Sequence, residues 1–314
     1  MSSSHRAISL IFPGQGSQTV GMGVKLAEAF PVAKAVFEEV DAALSQNLFD
    51  LMANGPAEEL TLTQNTQPAL MAVSVAAFRV LQDEGLTLKS VKSLAGHSLG
   101  EYSAYCVAGA LSLTDTARLL RLRGSAMQAA VAPGDGAMAA ILGLSLEEVE
   151  DIIAPHGAEI ANDNAPGQVV ISGYAAAVDA ACAAAKEAGV KRALKLEVSA
   201  PFHCSLMKSA QEQMAEALEG ANIAAPQAPV FSNVTATQTS SPDDIRRTLT
   251  AQVTGRVRWT ESVQAMITDG TDLFIEVGAG KVLSGLVRRI EKGVPSIAVG
   301  EPGDLAGYRD QIAH

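Results

Sequence analysis

Two textures of apolar and polar positions alternate along the chain. Short runs that are almost wholly apolar, such as residues 7–12 (Ala-Ile-Ser-Leu-Ile-Phe) and 90–95, have the pattern of strands buried on both faces. Longer segments with apolar residues three or four positions apart predict helices. One spans residues 31–44 with Pro31 at its first position, and another spans 67–84 with Gly85 just past its end. A third follows Gly100, in a stretch rich in Ala, Tyr and Leu that meets no breaker before Gly109, and a fourth covers 114–131. Beyond residue 203 the alternation resumes, with helices over 204–219, 245–252 and 282–290 and strands over 229–233 and 272–278.

Between these blocks lies a segment of different character. After Pro133-Gly134-Asp135-Gly136, residues 137–142 are strand-like, and Ser145 with Glu148 forms the capping-box signature of a helix over 146–154. Residues 159–162 and 168–172 read as strands flanking the turn Asn164-Ala165-Pro166-Gly167. An Ala-rich helix over 175–188 ends at Gly189, and 190–198 is strand-like again. Strand, helix, strand, strand, helix, strand is the ferredoxin-like order. The expected organisation is α/β, with a large unit from residues 1–132 and 203–314 and a ferredoxin-like insert at 133–202.

Composition changes this picture in few respects. With 314 residues the chain has ample material for a core. No run approaches the roughly eighteen uncharged apolar residues of a membrane span, and residues 1–6 lack the layout of a secretion signal. Cys106, Cys182 and Cys204 are far apart, with neither a disulfide framework nor metal-ligand spacing. A cytoplasmic protein without membrane segments is expected. The formal net charge of −11 argues against nucleic acid as the main partner.

Candidate chemistry begins at Gly96-His97-Ser98-Leu99-Gly100, a G-x-S-x-G sequence at a predicted strand-to-helix junction, the setting of a nucleophile elbow. The glycines permit a sharp turn, and the free N–H groups of the following helix point where an oxyanion would form. A tight glycine turn with an incidental serine would carry the same letters. The loop Pro13-Gly14-Gln15-Gly16-Ser17-Gln18 resembles a phosphate cradle, but Thr19 stands where a dinucleotide fingerprint needs glycine. Neither this loop nor Gly280-Lys281-Val282 ends in the Gly-Lys-Ser/Thr of a P-loop. What remains is a flexible turn presenting Gln15 past a strand end. On the 114–131 helix Arg123 falls on the apolar row of Leu119, Leu120, Met127 and Ala130, while Arg118 and Arg121 lie on a different, solvated face. A guanidinium on an apolar row is expected to meet a carboxylate, from the protein or from a ligand. His203, after Pro201-Phe202, sits where a loop meets a predicted helix N-terminus, whose dipole disfavours imidazolium and leaves a neutral ring able to act as a base. A purely structural histidine is the competing reading.

Taken in order, these motifs closely resemble the malonyl-CoA:acyl-carrier-protein transacylases, the acyltransferases of fatty-acid synthesis. The likeness extends over essentially the whole chain, through Gln67-Pro68-Ala69-Leu70, Pro166-Gly167-Gln168-Val169-Val170, Ser232-Asn233-Val234 and Gly278-Ala279-Gly280. It implies a hydrolase-like large subdomain with a parallel sheet. It further implies that malonyl passes from malonyl-CoA to the phosphopantetheine thiol of acyl carrier protein through a malonyl-serine, with no additional cofactor. By that resemblance Ser98 is the nucleophile, His203 the general base, and the N–H groups of Gln15 and Leu99 the oxyanion hole. Arg123 pairs with the malonyl carboxylate, the carbonyl of Gln252 orients the imidazole, and Met127 and Asn164 line the pocket. Phe202 departs from the serine common in the bacterial single-domain enzymes and is similar to the His-Ala-Phe-His of malonyl-selective polyketide acyltransferases, although Ala200 stands where that pattern begins with His. Its ring is expected to crowd an α-methyl group. An acidic carrier would need a local basic surface, with Lys208, Arg246, Arg247, Arg256, Arg258, Arg288 and Arg289 as candidates. A discrete polyketide-type acyltransferase shares this chemistry; a serine (thio)esterase and a non-catalytic scaffold are the more distant alternatives.

Overall fold

A computed structural model describes residues 6–190 and 192–312. Residues 1–5, where the absence of a secretion signal was expected, lie outside the described residues. The strands, in chain order, are β1 (Ile8–Phe12), β2 (Val91–Gly96), β3 (Gly136–Leu142), β4 (Glu159–Ala165), β5 (Gln168–Tyr174), β6 (Arg192–Lys195), β7 (Val230–Phe231), β8 (Gln238–Thr239), β9 (Val257–Arg258), β10 (Leu273–Val277) and β11 (Ser296–Val299). They form two sheets, ordered β11-β10-β1-β2-β7-β8 and β6-β3-β5-β4-β9.

In the larger sheet every pairing is parallel except that of β8 at one edge. The apolar runs have their cause here. All five residues of β1 and of β10 are buried, because helices cover both faces. Leu10 and Phe12 point into one core with the Thr63–Asp83 helix, and Ile11 points into another with Trp259, Val263 and Val287. The Thr63–Asp83 helix is buried along most of its length and begins four residues before its predicted start. Side chains hold that extra turn: Asn65 Nδ2 donates to Glu59 O at 2.8 Å and Thr66 Oγ1 to Leu60 O at 2.6 Å. Pro68 therefore sits inside the helix rather than at its mouth.

The smaller sheet has the β6-β3-β5-β4 order of a ferredoxin-like unit, with antiparallel neighbours throughout that set. Strand β9, from residues 257–258, extends it in parallel beside β4. The Leu146–Ile153 helix, closed by the expected Ser145–Glu148 capping box, and the Ala175–Glu187 helix cover one face. Ala139, Ile141, Val169 and Ile171 point toward those helices. Met138, Ala140, Gln168 and Val170 alternate with them and face a cavity between the two sheets. An open sheet face is thus one wall of the site.

Several boundaries differ from expectation. Asn164 and Ala165 belong to β4, so the hairpin loop is only Pro166-Gly167, with Gly167 at φ 73°. The strand expected over 190–198 narrows to β6, which pairs with β3 at the edge of the sheet, and that over 229–233 to β7. Cys204 does not open a helix; a short 3₁₀ turn, Ser205–Met207, precedes the Lys208–Glu219 helix. The elbow helix runs Leu99–Val107, and the next runs Leu113–Ala129 from a Ser112 cap.

One close approach positions the site. A Cβ on Gly124 would fall 2.6 Å from both Gln64 Cα and Thr63 O, so its absence lets the Leu113–Ala129 and Thr63–Asp83 helices touch and brings Arg123 against Gln67. Gly124→Ala is expected to cost about 1–3 kcal/mol of stability through overpacking. A urea midpoint equal to that of the parent protein would contradict this.

Candidate active site

The elbow is built by steric exclusion. A Cβ on Gly96 would lie 1.9 Å from the Gly100 backbone, and one on Gly100 would lie 2.3 Å from Phe12 O. Only bare backbone fits between β1, β2 and the helix. Ser98 is held at φ 54°, ψ −112°, outside the favoured regions, which turns its hydroxyl out of the bend. Asn233 clamps the strained peptide: its Oδ1 accepts from Ser98 N–H at 2.7 Å and its Nδ2 donates to Gly96 O at 2.7 Å.

Ser98 Oγ lies 2.7 Å from His203 Nε2. His203 Nδ1 faces two carbonyl oxygens, Gln252 O at 2.9 Å and Gly255 O at 3.1 Å, and must carry the proton there. Nε2 then presents its lone pair to the serine hydroxyl. The imidazole pKa is held down at about 3, first by burial and then by the Arg123 guanidinium. The helix dipole expected to keep it neutral is not the main cause, since His203 precedes a 3₁₀ turn and is itself at φ 58°.

Arg123 is fully buried, and no carboxylate pairs with it among the described residues. Its Nη1 donates to Gln67 Oε1 at 2.9 Å; its Nη2 donates to Gln252 Oε1 at 2.8 Å and to Ser98 Oγ at 3.2 Å. Nε has no acceptor among the described residues, and the guanidinium carbon lies 5.7 Å from the Tyr102 ring centroid. The expected carboxylate partner is therefore missing among the described residues, and two carboxamide oxygens take its place. Arg121, expected in solvent, is half-buried and donates to Gln46.

A cavity of about 650 Å³ opens onto Ser98 and His203, with Gln15, Asn164 and Phe202 in its wall. Asn164 Oδ1 accepts from His97 Nε2 at 2.8 Å. The N–H groups of Gln15 and Leu99 have no acceptor among the described residues. Gly14 crosses close over the elbow, where a Cβ would meet His97 O at 2.7 Å, and this carries Gln15 past the serine. Met127 lies a layer deeper, its Sδ 3.8 Å from Gln67 Nε2.

Residues 9–311 match the family model described as the acyl transferase domain. The chain belongs to that acyltransferase family. A malonyl CoA-acyl carrier protein transacylase of Bacillus subtilis (strain 168) is 47% identical over 300 residues, covering 94% of each chain. The crystal structure of acyl-carrier-protein-S-malonyltransferase from Bartonella henselae is 50% identical, with a TM-score of 0.95 over 98% of this chain and 100% of that one. A malonyl-transacylase solved in complex with a type II PKS acyl-carrier protein is 43% identical, with a TM-score of 0.94 over 97% and 99% of the two chains. The large α/β subdomain with a smaller one beside it is the architecture of this family.

Residue-by-residue reading of the acyltransferase sequence missed Asn233, Gln67, the Gln252 side chain, Gly255 and Glu101. Gln67 and Asn233 stood only inside short motifs that carried the resemblance. Glu101, in the first turn of a helix, has the pattern of an ordinary dipole-favoured surface acid.

The depressed His203 pKa has a definite sign. The folded protein resists the proton that the unfolded chain takes up near the usual histidine value, so stability falls as the pH drops from there toward 3. NMR of labelled histidine is expected to find the His203 ring neutral, with Nδ1 protonated, at pH 5. A midpoint at pH 6 or above would contradict the role of burial and Arg123.

Proposed function

We propose that the protein transfers malonyl from malonyl-CoA to the phosphopantetheine thiol of an acyl carrier protein through a malonyl ester on Ser98, supplying the extender unit for fatty-acid synthesis. Arg123 carries this reading: a buried cation beside the nucleophile, hydrogen-bonded among the described residues to neutral partners. A free carboxylate on the acyl group supplies the missing counter-ion; an acetyl group does not. The names of the relatives support the same substrates.

Ser98 Oγ attacks the thioester carbonyl while its proton passes to His203 Nε2. The oxyanion forms against the N–H groups of Gln15 and Leu99. The C–S bond then breaks, and His203 protonates the departing thiolate. In the second half the carrier thiol gives its proton to His203, its sulfur attacks the ester, and Ser98 recovers the proton. Exchange between two thiols is nearly isoenergetic, so the ester needs protection from water more than a driving force. No prosthetic group enters; coenzyme A and phosphopantetheine arrive with substrate and partner. The malonyl carboxylate also offsets the Arg123 charge, so the base strengthens when the correct acyl group is seated. Phe202, in the cavity wall, is the residue we assign to excluding an α-methyl branch.

The carrier surface narrows among the basic candidates. Arg246, Arg247, Arg256 and Arg258 are each engaged with a nearby carboxylate, and Lys208, at the start of the Lys208–Glu219 helix, is not among the residues lining the cavity. Arg288 and Arg289 end the Val282–Ile290 helix, whose Val282 lines the cavity. Arg289 donates to Gln168, another lining residue, at 2.9 Å. We place the docking surface there, at the mouth. Among the described residues no helix is long and apolar enough to cross a membrane, and the three free cysteines suit a reducing cytoplasm.

Mass spectrometry after exposure to malonyl-CoA is expected to find malonyl on Ser98 and none in Ser98→Ala. Arg123→Ala should reduce the preference for malonyl-CoA over acetyl-CoA by about 100-fold; an unchanged preference would remove Arg123 as the clamp. Reversing Arg288 and Arg289 to Glu should raise KM for the carrier protein about tenfold, with KM for malonyl-CoA little altered. Equal effects on both substrates would place the carrier elsewhere.

A further inference from the structure

One buried carboxylate has no part in the steps above. Glu101 lies in the first turn of the Leu99–Val107 helix, fully buried. A single oxygen, Oε2, accepts from Gln252 Nε2 at 2.6 Å and from Asn233 N–H at 3.1 Å. The other, Oε1, faces Tyr105 Oη at 3.4 Å.

The Gln252 carboxamide stands between this carboxylate and the guanidinium. Its Nε2 also donates to Ser98 O at 2.9 Å, and its Oε1 accepts from Arg123 Nη2. The two ends of an amide are nearly equal in shape and opposite in polarity. Turned over, this one would aim an NH₂ group at a guanidinium, donor against donor. It would also face a carboxylate oxygen with a carbonyl oxygen. Asn233 N–H donates to Oε2 and so keeps an acceptor oxygen at that position, whether or not the carboxyl is ionised. Glu101 thereby excludes the turned state, because only the amino end of Gln252 can bond to that oxygen.

Building on the malonyl-transfer reading, we propose that Glu101 is a positioning residue for acyl selection: it holds the amino end of Gln252, keeps the carbonyl end on Arg123, and so keeps the guanidinium beside Ser98 Oγ. The role requires an acceptor at Oε2 rather than a charge. Burial pushes the Glu101 pKa up to about 7, and a protonated carboxyl still offers its carbonyl oxygen. Glutamine can do the same, with its NH₂ toward Tyr105 Oη, which is free to accept while donating to Thr239 Oγ1 at 2.7 Å.

Glu101→Met and Glu101→Leu fill the space without an acceptor; Glu101→Gln retains one. In the first two, the ratio of kcat/KM for malonyl-CoA to that for acetyl-CoA is expected to fall about tenfold or more, and in the third to stay within about threefold of the parent. Crystal structures should show Gln252 turned or withdrawn and Arg123 beyond hydrogen-bonding distance of Ser98 in the acceptor-less variants only. Equal losses on both acyl donors, an unmoved Arg123, or a Gln variant as unselective as the Met variant would overturn the proposal. If the parent forms no malonyl-Ser98 but Arg123 still moves as described, the substrate reading fails and the positioning role stands.

Discussion

Keeping a guanidinium in the interior with no carboxylate in contact with it among the described residues, and within hydrogen-bonding reach of Ser98 Oγ, is the constraint around which this molecule is arranged. Burying a cation costs several kcal/mol unless hydrogen bonds and opposite charge offset it. An internal carboxylate in contact with Arg123 would offset part of that cost and would also fill the position proposed for the acyl carboxylate. The protein instead offers carboxamide oxygens from Gln67 and Gln252, a hydroxyl from Ser98 and the face of Tyr102. These hold the cation in place without neutralising it. After burial, the same charge is the next cause that depresses the His203 pKa, so the protonation of that ring is tied to what lies against Arg123.

That arrangement depends on contacts too close for ordinary side chains. Gly96 and Gly100 let two strands and a helix meet beneath Ser98, and Gly124 lets two helices meet beside Arg123. Ser98 and His203, which face each other across 2.7 Å, both have positive φ. Such strain persists only where the surroundings over-determine it. Asn233 supplies part of that restraint on one side, and the carbonyls of Gln252 and Gly255 on the other. The open face of the small sheet then closes the cleft over Ser98 with small, apolar and amide side chains.

The helix of residues 31–44, the Ser145–Glu148 capping box and the strand–helix order of the insert were all legible, because each is a local matter of periodicity, capping and turn chemistry. Boundaries failed where distant bonds decided them. The turn upstream of Pro68 is held by Glu59 and Leu60, and β7 is short because only two of its residues find partners on β2. The elbow, the base and the buried arginine were visible as candidates, since G-x-S-x-G, a histidine after a loop and a cation on an apolar row are each local oddities.

Chain order and composition by themselves determined the α/β class, the ferredoxin-like insert and the residue types available for acyl transfer. What the cation rests on was a tertiary decision. Residues 56 and 129 positions away from Arg123 supply its oxygens, and one 105 positions from Ser98 supplies the imidazole against its hydroxyl. Periodicity reports which face of an element is buried, not which group waits on the other side. Only the folded chain shows that, among the described residues, carboxamides and not a carboxylate meet the guanidinium there.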